Sequence, residues 1–395
     1  MAAPAQAAVS RAAVSNRARP NFLFLIADDL TFRVVHALGN HEVQTPAIDT
    51  LLQQGCTLTH CFHQGSWSAA VFVPSRTMLN SGLTSFRAQT EFEQSPLWAQ
   101  TFGDAGYDTF ITGKWHLSET ALKRSFKELG PVSPGMFESG PDAYHRPTAG
   151  TSWTPWDTSR KGQWLHTKEW HDAGTNPSPD EIRHSAAIWA DSAATQIRLA
   201  SQRNNPFFLY VGFNSPHDPR QAPREFVERY PQNGITIPPN YAPEHPFDQG
   251  DHQIRDELLA PFPRTTEAVR LHRSEYYAHI TYMDVQIGRI LEALSQSGQA
   301  ANTYVIFTAD HGLAVGEHGL LGKQNLYAAS NANSAISWRR DYLKARNCLY
   351  RLKVSRISLS TVTSGRSFWA ACAIKSRSNG SLCRKVISPS LLMSW

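Results

Sequence analysis

Four short runs rich in Phe, Ile, Val and Tyr punctuate the chain: Asn21 to Ala27 (NFLFLIA), Tyr107 to Thr112, Pro206 to Phe213 and Thr303 to Ala309. None shows sustained apolar and polar alternation, which predicts strands buried on both faces of a sheet. Helical periodicity fills the intervals. Thr45-Pro46 opens a helix running to Gly55, with Ile48, Leu51 and Leu52 on one side. Asp180 to Gln202 places Ile182, Ala186, Trp189, Ala193, Ile197 and Ala200 on one stripe. Ser274 to Ser297 does the same with Tyr276, Ile280, Met283, Ile287, Leu291 and Leu294, and Gly298 supplies a stop. Strands alternating with helices predict an α/β fold, with a largely parallel central sheet and helices on both faces.

Glu119 to Ser178 differs in kind. It is rich in Pro, Gly, Trp and His with little periodicity, and long irregular insertions on a rigid sheet commonly shape a binding mouth. Trp153, Trp156, Trp164 and Trp170, with His145, His166 and His171, either line a pocket for a ring-shaped substrate or pin a long loop to the surface.

Composition narrows the function classes. Hydrophobic content of 41% and aromatic content of 11% are those of a globular core. The net charge of +5 invites a nucleic-acid reading, but residues 331–395 hold 12 of the 38 Lys and Arg and only one acid, Asp341. The 26 basic and 32 acidic residues before them leave the body at −6, which argues against a basic face for nucleic acid. The five cysteines show no paired C-x-x-C spacing, and no apolar run is long enough to span a membrane. Residues 1–19 read as a disordered leader, with a poor targeting sequence as the alternative; the cytoplasm is slightly favoured.

Two acidic clusters follow strand ends: Asp28 and Asp29 after the first run, Asp310 and His311 after the last. Ligands of open α/β sheets collect at strand ends, and these four groups together suit a divalent cation. Either pair alone reads as a helix cap or a surface turn.

The motifs RPNFLFLIADDL, VPSRTMLNSG, TGKWHLS, NSPHDP and TADHGLAVGEHGLLGKQNLY, in that order over residues 19–327, resemble the sulfatase family of the alkaline-phosphatase-like superfamily. Their style is similar to iduronate-2-sulfatase-like members. The resemblance implies that Asp28, Asp29, Asp310 and His311 ligate the metal, Ca2+ before Mg2+. It puts the formylglycine nucleophile two residues before Pro74, where relatives carry Cys or Ser for the formylglycine-generating enzyme to oxidise. Here that residue is Phe72. Phenylalanine offers no oxygen or sulfur, so formylglycine is impossible there and the chain is expected to be inactive or severely impaired.

By the same resemblance Arg76 supports the nucleophile and its metal. Lys114 and His116 contact sulfate oxygens and the nucleophile, with His116 as candidate base. His217 and Lys323 serve the leaving oxygen or sulfate. The implied substrate is a sulfated small molecule or carbohydrate. The alternatives are a noncatalytic binder of metal and anions, and a phosphoryl-transfer hydrolase using Ser75 or Thr77.

The predicted catalytic domain covers residues 20–327. From about Ala328 the composition shifts: all 16 histidines lie earlier, and Ser, Arg and Lys dominate. The tail reads as basic and disordered, or as the product of a changed reading frame, the preferred explanation. In that case a small C-terminal domain found in relatives is lost.

Overall fold

The computed structural model describes residues 19–327 apart from 69–70, 136, 138–145, 147–152, 161, 171–179, 249 and 251–252, and with them 330, 332–338, 374–378 and 381–385. Its strands are β1 (Asn21–Asp28), β2 (Cys56–Phe62), β3 (Asp108–Lys114), β4 (Glu128–Ser133), β5 (Trp164–His166), β6 (Ile182–His184), β7 (Phe207–Pro216), β8 (Thr303–Ala309), β9 (Ala332–Trp338), β10 (Ile374–Ser378) and β11 (Ser381–Lys385). Seven form the central sheet in the order β2-β9-β8-β1-β7-β3-β4. β8, β1, β7, β3 and β4 run parallel, and β9 is antiparallel to both of its neighbours. The predicted α/β class, a largely parallel sheet with helices on both faces, is the observed one.

Alternation along β1 explains why no single face is polar. Leu23, Leu25 and Ala27 enter the larger core beneath the helices Pro46–Gln54, Ser185–Ala200 and Thr266–Gln296. Phe24 and Ile26 point the other way, into a second core with Trp98, Trp115, Phe126 and Tyr210. A strand buried on both sides needs apolar residues at every position, which is why it reads as a continuous run.

The helices depart from expectation at their ends. The stripe from Asp180 begins as strand β6, and its helix starts only at Ser185, where the His184 side chain accepts from Ala186 N. The helix expected from Ser274 begins two turns earlier, at Thr266, capped by the Thr265 hydroxyl. Thr45 does not cap the helix after it; Asp284 on the long helix accepts from Ala47 N and Ile48 N at 2.9 and 2.8 Å instead. The segment from Glu119, expected to lack regular structure, opens with the helix Glu119–Ser125 and strand β4. Beyond Ala328, strand β9 lies within the central sheet, so part of the predicted tail contributes to the fold.

Candidate active site

The parallel strands end together, and the chemistry sits where they end. β1 and β8 pair in register up to Ala27 and Ala309, so the residues that follow, Asp28, Asp29, Asp310 and His311, emerge side by side although nearly the whole described chain separates them. Carboxylate oxygens of Asp28, Asp29 and Asp310 lie within 4.8 Å of one another, and all three residues are buried. Asp29 adopts a left-handed backbone (φ 68), which Asp tolerates better than most residues, and its N–H donates to Asp310 Oδ1 at 3.1 Å.

Three cations face the three acids. Lys114 Nζ, at the end of β3, donates to Asp28 Oδ2; Lys323 Nζ donates to Asp29 Oδ2 at 2.5 Å; Arg76 Nε donates to Asp310 Oδ2 at 2.8 Å. Burial raises Asp28 to about 7 even though Lys114 pulls it down, and burial raises Asp29 likewise against Lys323. Burial also pushes Asp310 upward, but Arg76 and Lys114 together outweigh it and hold its carboxyl below the usual range. The residues fit a divalent cation: three converging buried carboxylates, of which Asp28 Oδ1 and Asp29 Oδ1 have no hydrogen-bond partner. Hard oxygen ligands of this kind suit calcium or magnesium.

His311 does not join that cluster. Its Nε2 lies 2.8 Å from Val71 O, its ring meets His63 edge-on at 4.3 Å, and burial lowers it to about 3. The backbone places it beside Asp310; Nε2 is committed to the loop before Phe72, and Nδ1 is buried without a partner.

Phe72 opens the helix Phe72–Ser81. Its ring stacks on His116 at 4.1 Å, lies 6.4 Å from the His217 ring, and has the ammonium groups of Lys114 and Lys323 at 4.6 and 5.0 Å from its centroid. Phe72, Arg76, Lys114, His116, His217 and Lys323 thus lie together around the acids. Ser75 Oγ donates to Asp310 O at 2.8 Å and Thr77 Oγ to Val73 O at 2.6 Å, so both hydroxyls are engaged with backbone.

Burial disfavours the charged form of both histidines. Burial, then Lys114, lowers His116; burial, then Lys323, lowers His217 well below its ordinary value. His217 Nδ1 donates to Asp218 O at 2.7 Å, which leaves Nε2 as an acceptor 3.5 Å from Asp29 Oδ2 with no donor between them. His116 occupies a left-handed conformation (φ 60) and needs Gly135: a Cβ there would fall 2.6 Å from its ring.

Several contributors escaped sequence reasoning. Tyr276 OH donates to Asp29 O at 2.5 Å and accepts from Thr31 N at 3.1 Å, which fixes the turn after β1. Glu257 accepts from Leu321 N and Gly322 N at 2.8 and 2.7 Å, anchoring the segment that carries Lys323. Neither tyrosine nor glutamate stands in a recognisable motif; only the fold supplies the signal. Of the aromatic segment, Trp164 caps Pro155 O and Trp170 packs on Trp189, whereas Trp153 lines a cleft. Trp156 meets Arg224, and His166 pairs with Asp180; His145 and His171 lie outside the described residues.

A sulfatase family model matches residues 20–353. The chain belongs to the sulfatase family. Human iduronate 2-sulfatase is 28% identical over 335 residues, covering 76% of this chain and 56% of that protein. The sulfatase-family chain spans about three-fifths of the length of the curated relatives it matches. A putative sulfatase from Bacteroides fragilis superposes with a TM-score of 0.60 at 20% identity, covering 84% of this chain and 70% of that one. A structure described as bound to its substrate D-glucosamine-2-N,6-O-disulfate superposes with a TM-score of 0.59 at 18% identity, covering 82% and 72%. Such sulfatases share the alkaline-phosphatase-like fold. Among the described residues no helix is long and apolar enough to cross a membrane.

Proposed function

We propose that this chain carries a sulfatase-type site for sulfate esters that binds its ligand and, with phenylalanine at position 72, does not turn it over. The observation that carries the reading is the position of Phe72, ringed by Lys114, Lys323, His116 and His217 beside three converging carboxylates. Sulfated carbohydrates are the substrate class we assign, in keeping with the sugar disulfate carried by a structural relative.

A sulfate ester is a monoanion, and its displacement spreads charge over the nonbridging and leaving oxygens. Asp28, Asp29 and Asp310 would hold a divalent cation, Ca2+ or Mg2+, which supplies fixed positive charge facing those oxygens. Lys114 and Lys323 present ammonium donors to the same place. Arg76 holds Asp310 and, through Nη1 on Lys114 O at 2.9 Å, the end of β3, so it acts by positioning. Neutral His116 and His217 offer acceptor nitrogens, the form needed to take a proton from a nucleophile or return one to a leaving oxygen.

The missing part is the nucleophile. Phe72 cannot attack sulfur, and its ring lies on His116, the candidate base. This favours a noncatalytic binding role for the chain as written. The engaged hydroxyls of Ser75 and Thr77 weigh against a phosphoryl-transfer enzyme. The test compares the chain as written with Phe72→Cys coexpressed with a formylglycine-generating enzyme, on an aryl sulfate and an aryl phosphate. Sulfate hydrolysis by the variant alone is expected. Equal sulfate turnover by both would overturn the assignment of position 72.

A further inference from the structure

The turn that brings His217 to the acids continues through Asp218 and Pro219 to Arg220, and these last three residues line a separate narrow cleft with Arg146, Trp153, His272 and Glu275. Its charges are unevenly matched. Arg146 pairs with Glu275 at 2.9 Å and Asp218 with Arg255 at 3.2 Å. Arg220 is 4% exposed and meets no carboxylate at ion-pair distance among the described residues. Its Nη1 donates to His272 Nδ1 at 2.8 Å, and its guanidinium lies over the Tyr276 ring at 5.5 Å. Nε and Nη2 are buried without a partner, and so is Trp153 Nε1.

Leaving two guanidinium donors buried and unmet is costly, and the pair left open is informative. Nε and Nη2 form one edge of the guanidinium, with parallel N–H vectors that match the two oxygens of a carboxylate or of a sulfate. Tyr276, under Arg220, also bonds the Asp29 carbonyl, so one side chain links the arginine to the turn that carries the acids.

We infer that Arg220, with Trp153 beside it, binds a second oxyanion on the same substrate whose sulfate ester occupies the site around Phe72. The inference rests on the sulfate-ester reading and narrows it: the ligand is a sugar carrying a carboxylate or a further sulfate in addition to the ester group. Trp153 offers its unpartnered N–H at the cleft, while its ring carries the guanidinium groups of Arg146 and Arg160 at 5.2 and 5.7 Å from its centroid, which adds positive charge to the place an oxyanion would occupy.

The experiment is calorimetric titration of the full chain, and of Phe72→Ala to clear the ring from the sulfate site, with three probes. These are a monosulfated methyl glucoside, its glucuronoside counterpart and a disulfated methyl glucoside, each also titrated against competing inorganic sulfate. The probes with a second anion should bind about tenfold tighter than the monosulfate. Arg220→Gln should bring that ratio to about one, while Arg220→Lys, which keeps the charge without the fork, should retain only part of it. A preference for the glucuronoside alone identifies a carboxylate; equal gains for both probes identify a general oxyanion fork. Equal affinity for all three probes in the native chain, competed by sulfate, overturns the second-anion assignment and leaves the sulfate site standing. A preference that survives Arg220→Gln overturns the role of Arg220. Failure of every probe to bind either protein overturns the sulfate-ester reading, and this inference with it.

Discussion

Arg76 Nε lies 2.8 Å from Asp310 Oδ2, and both side chains are fully excluded from solvent. Arg76 comes from the helix that begins at Phe72 and Asp310 from the end of β8, so this pair ties the helix to the sheet. Removing the arginine strands a buried carboxylate beside Asp28 and Asp29, and the cost is expected to be about 3–5 kcal/mol. Urea denaturation of Arg76→Met should show it as a lowered midpoint at an unchanged slope. A midpoint within error of the native chain would mean that the pair holds nothing together.

Gly113 has a backbone (φ 85) that other residues resist, and a Cβ there would fall 1.9 Å from the Gly212 carbonyl oxygen on β7. The two glycines face each other in the β3–β7 register, immediately before Lys114. Gly113→Ala should therefore separate these strands and displace Lys114, with a stability loss of about 3 kcal/mol. Thermal melting checks the loss. Retained stability would show that the close approach of the two strands is not required.

His279 sits fully buried in the long helix with neither ring nitrogen bonded, and burial keeps it well below its ordinary value, reinforced by His184. His184 itself is lowered by burial to about 3. Unfolded histidine binds a proton below a pH of about 6.5, whereas these buried rings do not, so their contribution is fully present above that pH. It is lost as pH falls towards the folded values. Urea midpoints measured on either side of this window should fall on acidification. His279→Phe should reduce the fall, and an identical fall in the variant would remove His279 from the account.

Much of the sheet is legible because β1 and β7 are buried on both sides almost throughout and β8 on one side with the other half-covered, so each reads as a mainly apolar run. The edge is harder to read. β2 (CTLTHCF) and β9 (ANSAISW) carry Thr, Ser, His and Asn, and their pairing joins residues far apart in sequence, so local pattern gives no signal. The first two turns of the long helix hide for a related reason: His272 is buried there against the Arg220 guanidinium, not through apolar contact. At the site, strand ends and motif order locate Asp28, Asp29 and Asp310. They do not fix side-chain direction, and His311 turns to Val71.

Everything proposed for this chain depends on acids from the two ends of the folded body meeting at one cation. Calorimetric titration of the chain as written with Ca2+, and separately with Mg2+, tests this directly. One ion per chain is predicted, with binding abolished in Asp310→Asn while the circular dichroism spectrum is kept. Absence of binding, or binding that is unchanged in Asp310→Asn, would contradict the account.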